Sequence, residues 1–187
     1  MFTSQGLASE TDPRTLLSRA FVRRGLAQPE LVSLAPEAVP QPYRRLLVHE
    51  SDMTSTLTRF HGDDLRLQPL HVERHDKIWV REVLLCRKSD SVPVEYGVIG
   101  IHMDSFEAAA REAIREGAVP LGRILDDYSV GYVSRPSDYF KTSTNPCLDE
   151  LMQDSGEGPR YGRINSLTTP SGGVLAEVIE ILPRVSI

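Results

Sequence analysis

The sequence predicts an α+β fold: an antiparallel sheet of about six strands with helices on one side, in a single domain over residues 1–187. Three strand-like runs, residues 65–73, 77–86 and 92–103, follow one another across short polar links, and short links make antiparallel neighbours. Two more runs, 161–168 and 173–182, flank Thr169-Pro170-Ser171-Gly172 and read as a closing hairpin. Helical patterns stand before and between these groups of strands, which is the α+β arrangement.

The elements follow in order. Residues 1–12 are mostly small or polar and read as frayed. Asp12-Pro13 has the chemistry of a helix start, and Leu16, Leu17, Ala20 and Phe21 give that helix an apolar stripe up to a stop at Gly25. Four prolines between residues 28 and 42 predict an irregular connector. Leu46, Leu47, Met53, Leu57 and Phe60 form the inner side of a helical region over 43–60, with Ser51 or Asp52 restarting it as a cap. After the three strands, Ser105 caps a helix through Phe106, Ala110 and Ile114 that Gly117 ends. A short helical piece opens at Pro120. Residues 128–133 read as a strand that Arg135-Pro136 breaks, and 145–159 as a loop with one helical turn at 148–153.

Composition narrows the function classes. Net charge is -5, from 21 basic and 26 acidic residues interleaved along the chain, which argues against a concentrated basic face for nucleic acid. Cys86 and Cys147 have no CxxC spacing, and Cys86 in an apolar strand behaves as a small hydrophobe. Neither a secretory leader nor a run long enough to span a membrane is present in the sequence, so the expected location is cytoplasmic. His71 and His75 have HxxxH spacing on a strand end and a turn, where it does not place both rings on one helix face; no metal is expected. The chain has no glycine-rich phosphate loop and no GxSxG elbow.

The informative stretch is Trp79-Val-Arg-Glu-Val-Leu-Leu-Cys86. Alternation puts Trp79, Arg81, Val83 and Leu85 on one face and Val80, Glu82, Leu84 and Cys86 on the other. Both faces are apolar apart from one charge each, as in a strand covered on both sides. A charge there costs several kcal/mol, roughly, unless it is paired. Arg81 therefore pairs with a protein carboxylate, Glu82 or Glu177, or receives a ligand's carboxylate. The terminal strand repeats the pattern, with Glu177 beside Leu175 and Ile179, and Glu180 on the other face. Arg81 with Glu177 as a proton-donating acid is the favoured constellation.

Four segments in order carry a family resemblance: Leu46-Leu-Val-His-Glu-Ser-Asp-Met-Thr54, Trp79 to Cys86, Pro120-Leu-Gly-Arg-Ile-Leu125, and the acid-bearing strand from Glu177 to Pro183. Together they resemble the chorismate pyruvate-lyase (4-hydroxybenzoate synthase) family, in a divergent branch with a longer first motif. The resemblance covers residues 43–183. It implies a six-stranded antiparallel sheet with helical flaps over an internal pocket, and loss of pyruvate from chorismate without metal or organic cofactor. It also implies that Arg81 binds the substrate carboxylate, that Glu177 donates a proton with Glu180 as rival, and that Met53 and Leu121, with Thr54 beside them, line the pocket. His49-Glu50 and His61-Gly62 have no assigned counterpart, and His102 and Glu95 are further residues within reach of a pocket. The expected partner is a small carboxylate, with no nucleic acid and no membrane; oligomeric state is left open. Two alternatives stand beside the lyase: an enzyme acting on another carboxylated ring or enol ether, and a non-catalytic small-acid-binding module, since the same fold resembles the effector-sensing half of some transcription regulators.

Overall fold

A computed structural model describes residues 11–75, 77–154 and 156–184. Helices α1 (Pro13–Arg23), α2 (Tyr43–Leu47), α3 (Met53–His61), α4 (Ala108–Glu116), α5 (Leu121–Asp127) and α6 (Pro146–Leu151) surround one sheet. Its strands are β1 (Leu31–Leu34), β2 (Leu65–Arg74), β3 (Ile78–Arg87), β4 (Pro93–His102), β5 (Val133–Thr142), β6 (Arg160–Thr168) and β7 (Val174–Ile181). Their order is β1-β5-β6-β7-β4-β3-β2, and every neighbouring pair is antiparallel. Two three-stranded meanders, β2-β3-β4 and β5-β6-β7, thus meet along the β4–β7 seam. The class is the expected one, α+β on an antiparallel sheet.

The sheet and its layers differ in three details from the sequence reading. The sheet has seven strands, because residues 31–34, inside the proline-rich connector, pair with the end of β5. Pro136 does not break a strand. It sits in β5 beside a register shift at Pro136/Asp138, outside the stretch that β1 covers, so its missing N–H removes no bond to β1. Helices also lie on both faces rather than one. Leu16, Leu17, Ala20 and Phe21 of α1, with Leu148 of α6, pack on Val80, Leu84, Tyr96 and Ile179. On the opposite face, α4 and α5 bury Ile114, Ile124 and Leu125 against Ile99, Ile101 and Val178, while α2 and α3 bury Leu47, Met53 and Leu57 against Leu65 and Leu85.

Local chemistry sets the element ends. Asp12 accepts from Thr15 N–H at 2.8 Å and Pro13 occupies the first position of α1. Thr11 is buried, so the chain is ordered from there on, short of the expected fraying to residue 12; residues 1–10 lie outside the described ones. Asp52 accepts from Ser55 N–H at 2.7 Å and starts α3 after a break at 48–52. Ser105 does not cap α4, which begins at Ala108; its hydroxyl donates to Val174 C=O at 2.9 Å. At Gly162 a Cβ would collide with the Glu180 carbonyl oxygen and the Phe140 ring, so only glycine lets β6 and β7 close under Phe140.

The charge of Glu82, on the α1 face, is fully absorbed. Its carboxylate takes Arg23 at 2.8 Å, Arg24 at 2.7 Å and the Tyr96 hydroxyl at 2.8 Å. This buried knot ties α1 to the middle of the sheet, with both oxygens of the acid given a charged or hydroxyl donor.

Candidate functional site

The face of the sheet away from α1 carries a cavity with about 610 Å³ of space empty of protein atoms, part of it open solvent. Its floor is built from alternate residues of five strands: Leu67 of β2, Arg81, Val83 and Leu85 of β3, Glu95, Gly97 and Ile99 of β4, Val178 and Glu180 of β7, and Asn165 and Leu167 of β6. Alternation on a pleated sheet is sufficient to aim this set at one space. The roof is the start of α3, at Asp52, Met53 and Thr54, and the chain entering α5, at Pro120, Leu121 and Gly122. The two approach closely: a Cβ on Gly122 would stand 3.1 Å from Asp52 Oδ1. The start of α3 is capped there by the Asp52 carboxylate, which accepts from Ser55 N–H.

Arg81 is 2% exposed, and its Nε and Nη1 have no hydrogen-bond partner among the described residues. No ion pair of the described residues involves it; Glu82, next in sequence, spends its charge on the other side of the sheet. Burial alone pulls the Arg81 guanidinium down to about 10, which still leaves it charged at neutral pH. A guanidinium buried without a carboxylate is a costly arrangement in a structural residue and a serviceable one in an anion receptor.

Glu177 does not share this cavity. It pairs with Gly100 on the α1 face, where Thr11 donates to it and His102 lies 3.9 Å away. The pocket-side acids are Glu180 and Glu95. Glu180 accepts from Arg163 Nε at 2.5 Å, deep in the protein. Glu95 is 5% exposed, and its Oε2 has no partner among the described residues. Burial first, then the negative charge of Glu180, raise its carboxyl well above the ordinary 4.5, against a lowering pull from Arg163.

Arg163 organises the roof from below. It is fully buried, and besides Glu180 its guanidinium donates to the carbonyls of Leu47 (3.2 Å), His49 (3.1 Å) and Ser51 (3.3 Å). His49 belongs to this clamp. Its Nε2 meets Leu46 O at 2.7 Å and its Nδ1 accepts from Ser51 N–H at 3.1 Å, a pattern that needs the neutral ring with the proton on Nε2. Burial, with Arg163 alongside, lowers its basicity accordingly. His61 packs edge-on against Phe60. Among the described residues no group of three or more His, Cys, Asp or Glu side chains is placed to hold a metal, and no helix is long and apolar enough to cross a membrane.

No known protein family matches the chain by sequence, and no curated protein does. Solved structures do match by shape. PhnF from Mycobacterium smegmatis aligns with a TM-score of 0.55 at 8% identity, over 73% of this chain and 65% of that one. Its effector domain alone aligns at 0.53 and 9%, over 71% of this chain and 88% of that one. The ligand-binding domain of a protein assigned to the GntR family of transcriptional regulators, from Bordetella bronchiseptica, aligns at 0.48 and 12%, over 66% and 92%. The fold is chorismate-lyase-like.

Within that fold the structure brings Arg81, Met53, Thr54 and Leu121 to one cavity and leaves Glu177 out. Sequence reasoning named Glu95 only as a residue within reach of a pocket, which the structure bears out, and gave Arg163 no role. A signal existed for Glu95: it is a charge in an apolar strand, on the same alternation as Gly97 and Ile99. None existed for Arg163, whose run Arg160-Tyr-Gly-Arg-Ile-Asn165 is polar enough to pass for an exposed strand.

The state of Glu95 has a measurable consequence. In the fold it holds its proton at pH values where the unfolded chain has lost it, so the folded state binds more protons and its stability falls as pH rises above about 4.5. Glu180, Arg163 and Asp52 are the charged groups that act on it. Glu95→Gln is therefore expected to match wild type in urea midpoint at pH 4 and to exceed it at pH 7. An equal gap at both pH values would show that Glu95 is ionised in the fold.

Proposed function

We propose that the chain binds a small ring carboxylate in this cavity and, as its ordered motifs imply, removes pyruvate from chorismate to leave 4-hydroxybenzoate. The observation that carries the reading is the buried, unpaired Arg81 guanidinium opening onto an apolar cavity. A ligand carboxylate supplies the acceptors that Arg81 lacks, in the forked geometry guanidinium favours. The backbone at Met53 and Thr54, at the capped start of α3, lines the cavity beside it. Val83, Leu85, Ile99 and Leu121 supply the dry walls that make the Arg81 contact count for more than it would in water.

The reaction asks for orientation more than for strong reagents. The ring C–H bond beside the ether carbon breaks, the ether C–O bond breaks with its electrons moving to oxygen, and a proton ends on the enolpyruvyl methylene. The ring becomes aromatic and the side chain becomes pyruvate, so no oxidant, reductant or cofactor is consumed. Holding the carboxylate at Arg81 and excluding water are what these residues offer to that step. Glu177, on the far face, takes no part in it.

The second reading is a binding module without turnover, favoured by the likeness to the effector domain of PhnF. One experiment separates the two. The purified chain is incubated with chorismate while 4-hydroxybenzoate and pyruvate are followed. Equimolar products, lost in Arg81→Ala, support the lyase. Tight binding of chorismate or 4-hydroxybenzoate without product supports the module. Neither product nor binding would end both readings.

A further inference from the structure

We propose that the chain holds a small inorganic anion of the size of chloride in an enclosed site beneath α6, formed by Arg160, Arg184 and Thr142. None of these residues lines the cavity of Arg81. Arg160 opens β6 and is fully buried. Thr142 ends β5, is the direct cross-strand partner of Arg160, and is also fully buried. Directly opposed residues share a face of the sheet. Alternation from Phe140 identifies that face as the one on which Leu148 and Met152 pack. Arg184 reaches the same place from the segment after β7, with its side chain 7% exposed.

The two guanidinium groups stand side by side because they share their acceptors. Arg160 Nη2 donates to Asp149 Oδ1 at 2.6 Å and to the Asp154 carbonyl at 2.8 Å. Arg184 Nη1 donates to the same two atoms at 2.9 Å and 3.0 Å. The carboxylates of Asp149 and Asp154 thus balance the two cations, yet they leave donors over. Arg160 Nε and Nη1, Arg184 Nη2 and the Thr142 hydroxyl are buried and have no hydrogen-bond partner among the described residues. Buried donors left in this condition are destabilising unless something completes them. Guanidinium nitrogens only donate, and the hydroxyl can donate as well. A water molecule among them would need acceptors for its own protons, whereas an anion needs donors alone. Bonds from a charged donor to an anion are also the stronger kind. All four atoms are closed off from solvent, so the occupant is a compact ion and not an organic acid of the kind the Arg81 cavity suits. Such an ion, shared by Arg160 and Arg184, ties the segment after β7 to the start of β6.

Urea midpoints at constant ionic strength, with sodium gluconate replaced stepwise by sodium chloride, test this on wild type, Arg160→Lys, Thr142→Val and Arg81→Met. Gluconate is too large for an enclosed site and holds the salt concentration fixed. Full chloride is expected to raise the wild-type midpoint by roughly 0.5 M urea over full gluconate, as for a ligand that binds only the folded chain. Arg160→Lys keeps a cation beside Asp149 and Asp154 but lacks the planar fork and its surplus donors, so it is expected to fold and to lose most of that shift. Thr142→Val keeps the side-chain shape without the hydroxyl and is expected to lose part of it. Arg81→Met is expected to keep the shift, which separates this site from the cavity. A shift that is absent from wild type, undiminished in Arg160→Lys or in Thr142→Val, or abolished by Arg81→Met overturns the proposal.

Discussion

Arg81→Met should bind carboxylates about 100-fold more weakly, or worse, and yet fold more stably than wild type by about 1–2 kcal/mol. The two effects share one cause. The guanidinium is 2% exposed, has two nitrogens without partners and has no carboxylate to offset its burial. Methionine keeps the aliphatic packing against Val83 and Ile99 and removes a charge that the empty protein holds at a loss. A residue kept for architecture would behave in the opposite way, since its truncation would cost stability and leave binding alone. Urea denaturation and calorimetry with benzoate on the same preparations decide the matter. A stability loss with unchanged affinity would remove Arg81 from the site.

Arg163→Met is expected to be the most damaging single change around the cavity, at about 3–5 kcal/mol of stability. This buried side chain has its charge paired and its donors engaged. Its removal strands the Glu180 carboxylate, which is 6% exposed, and releases the carbonyls of Leu47, His49 and Ser51. Against a typical domain stability of roughly 5–15 kcal/mol, the loss is a large share of the total. Lysine keeps the charge but has no planar fork to span Glu180 and three carbonyls, so Arg163→Lys should recover only part of it. The double variant Arg163→Met with Glu180→Met leaves no unpaired ion and should be more stable than Arg163→Met alone. Urea midpoints for the three variants suffice. A loss below about 1 kcal/mol in Arg163→Met would mean the clamp is not what holds the roof.

The contrast between the two arginines explains how much could be read in advance. Both sit in strands, and alternation correctly divided Arg81 from Glu82. Alternation says which residues share a face of one strand; it does not say how faces of distant strands coincide. That information is the register of β4 on β7, which pairs Gly100 with Glu177 and Gly97 with Glu180. A face assignment for β7 made in isolation therefore selected the acid on the wrong side of the sheet. Asp12 and Asp52 were legible because a cap acts on amides two or three residues away. The seventh strand was not, because 31–34 is extended by pairing with β5 in an otherwise proline-rich stretch. The bonds of Arg163 reach 112 to 116 residues back along the chain, beyond any local pattern.

Both outer borders of the sheet are interrupted. The β2 border carries Pro69 at a register shift, and β1 is only four residues long, leaving the Pro136 irregularity of β5 uncovered beyond it. A neighbouring copy seeking to extend the ladder would meet missing donors and a kinked backbone on either flank. Such rims disfavour the recruitment of further chains into a growing fibril.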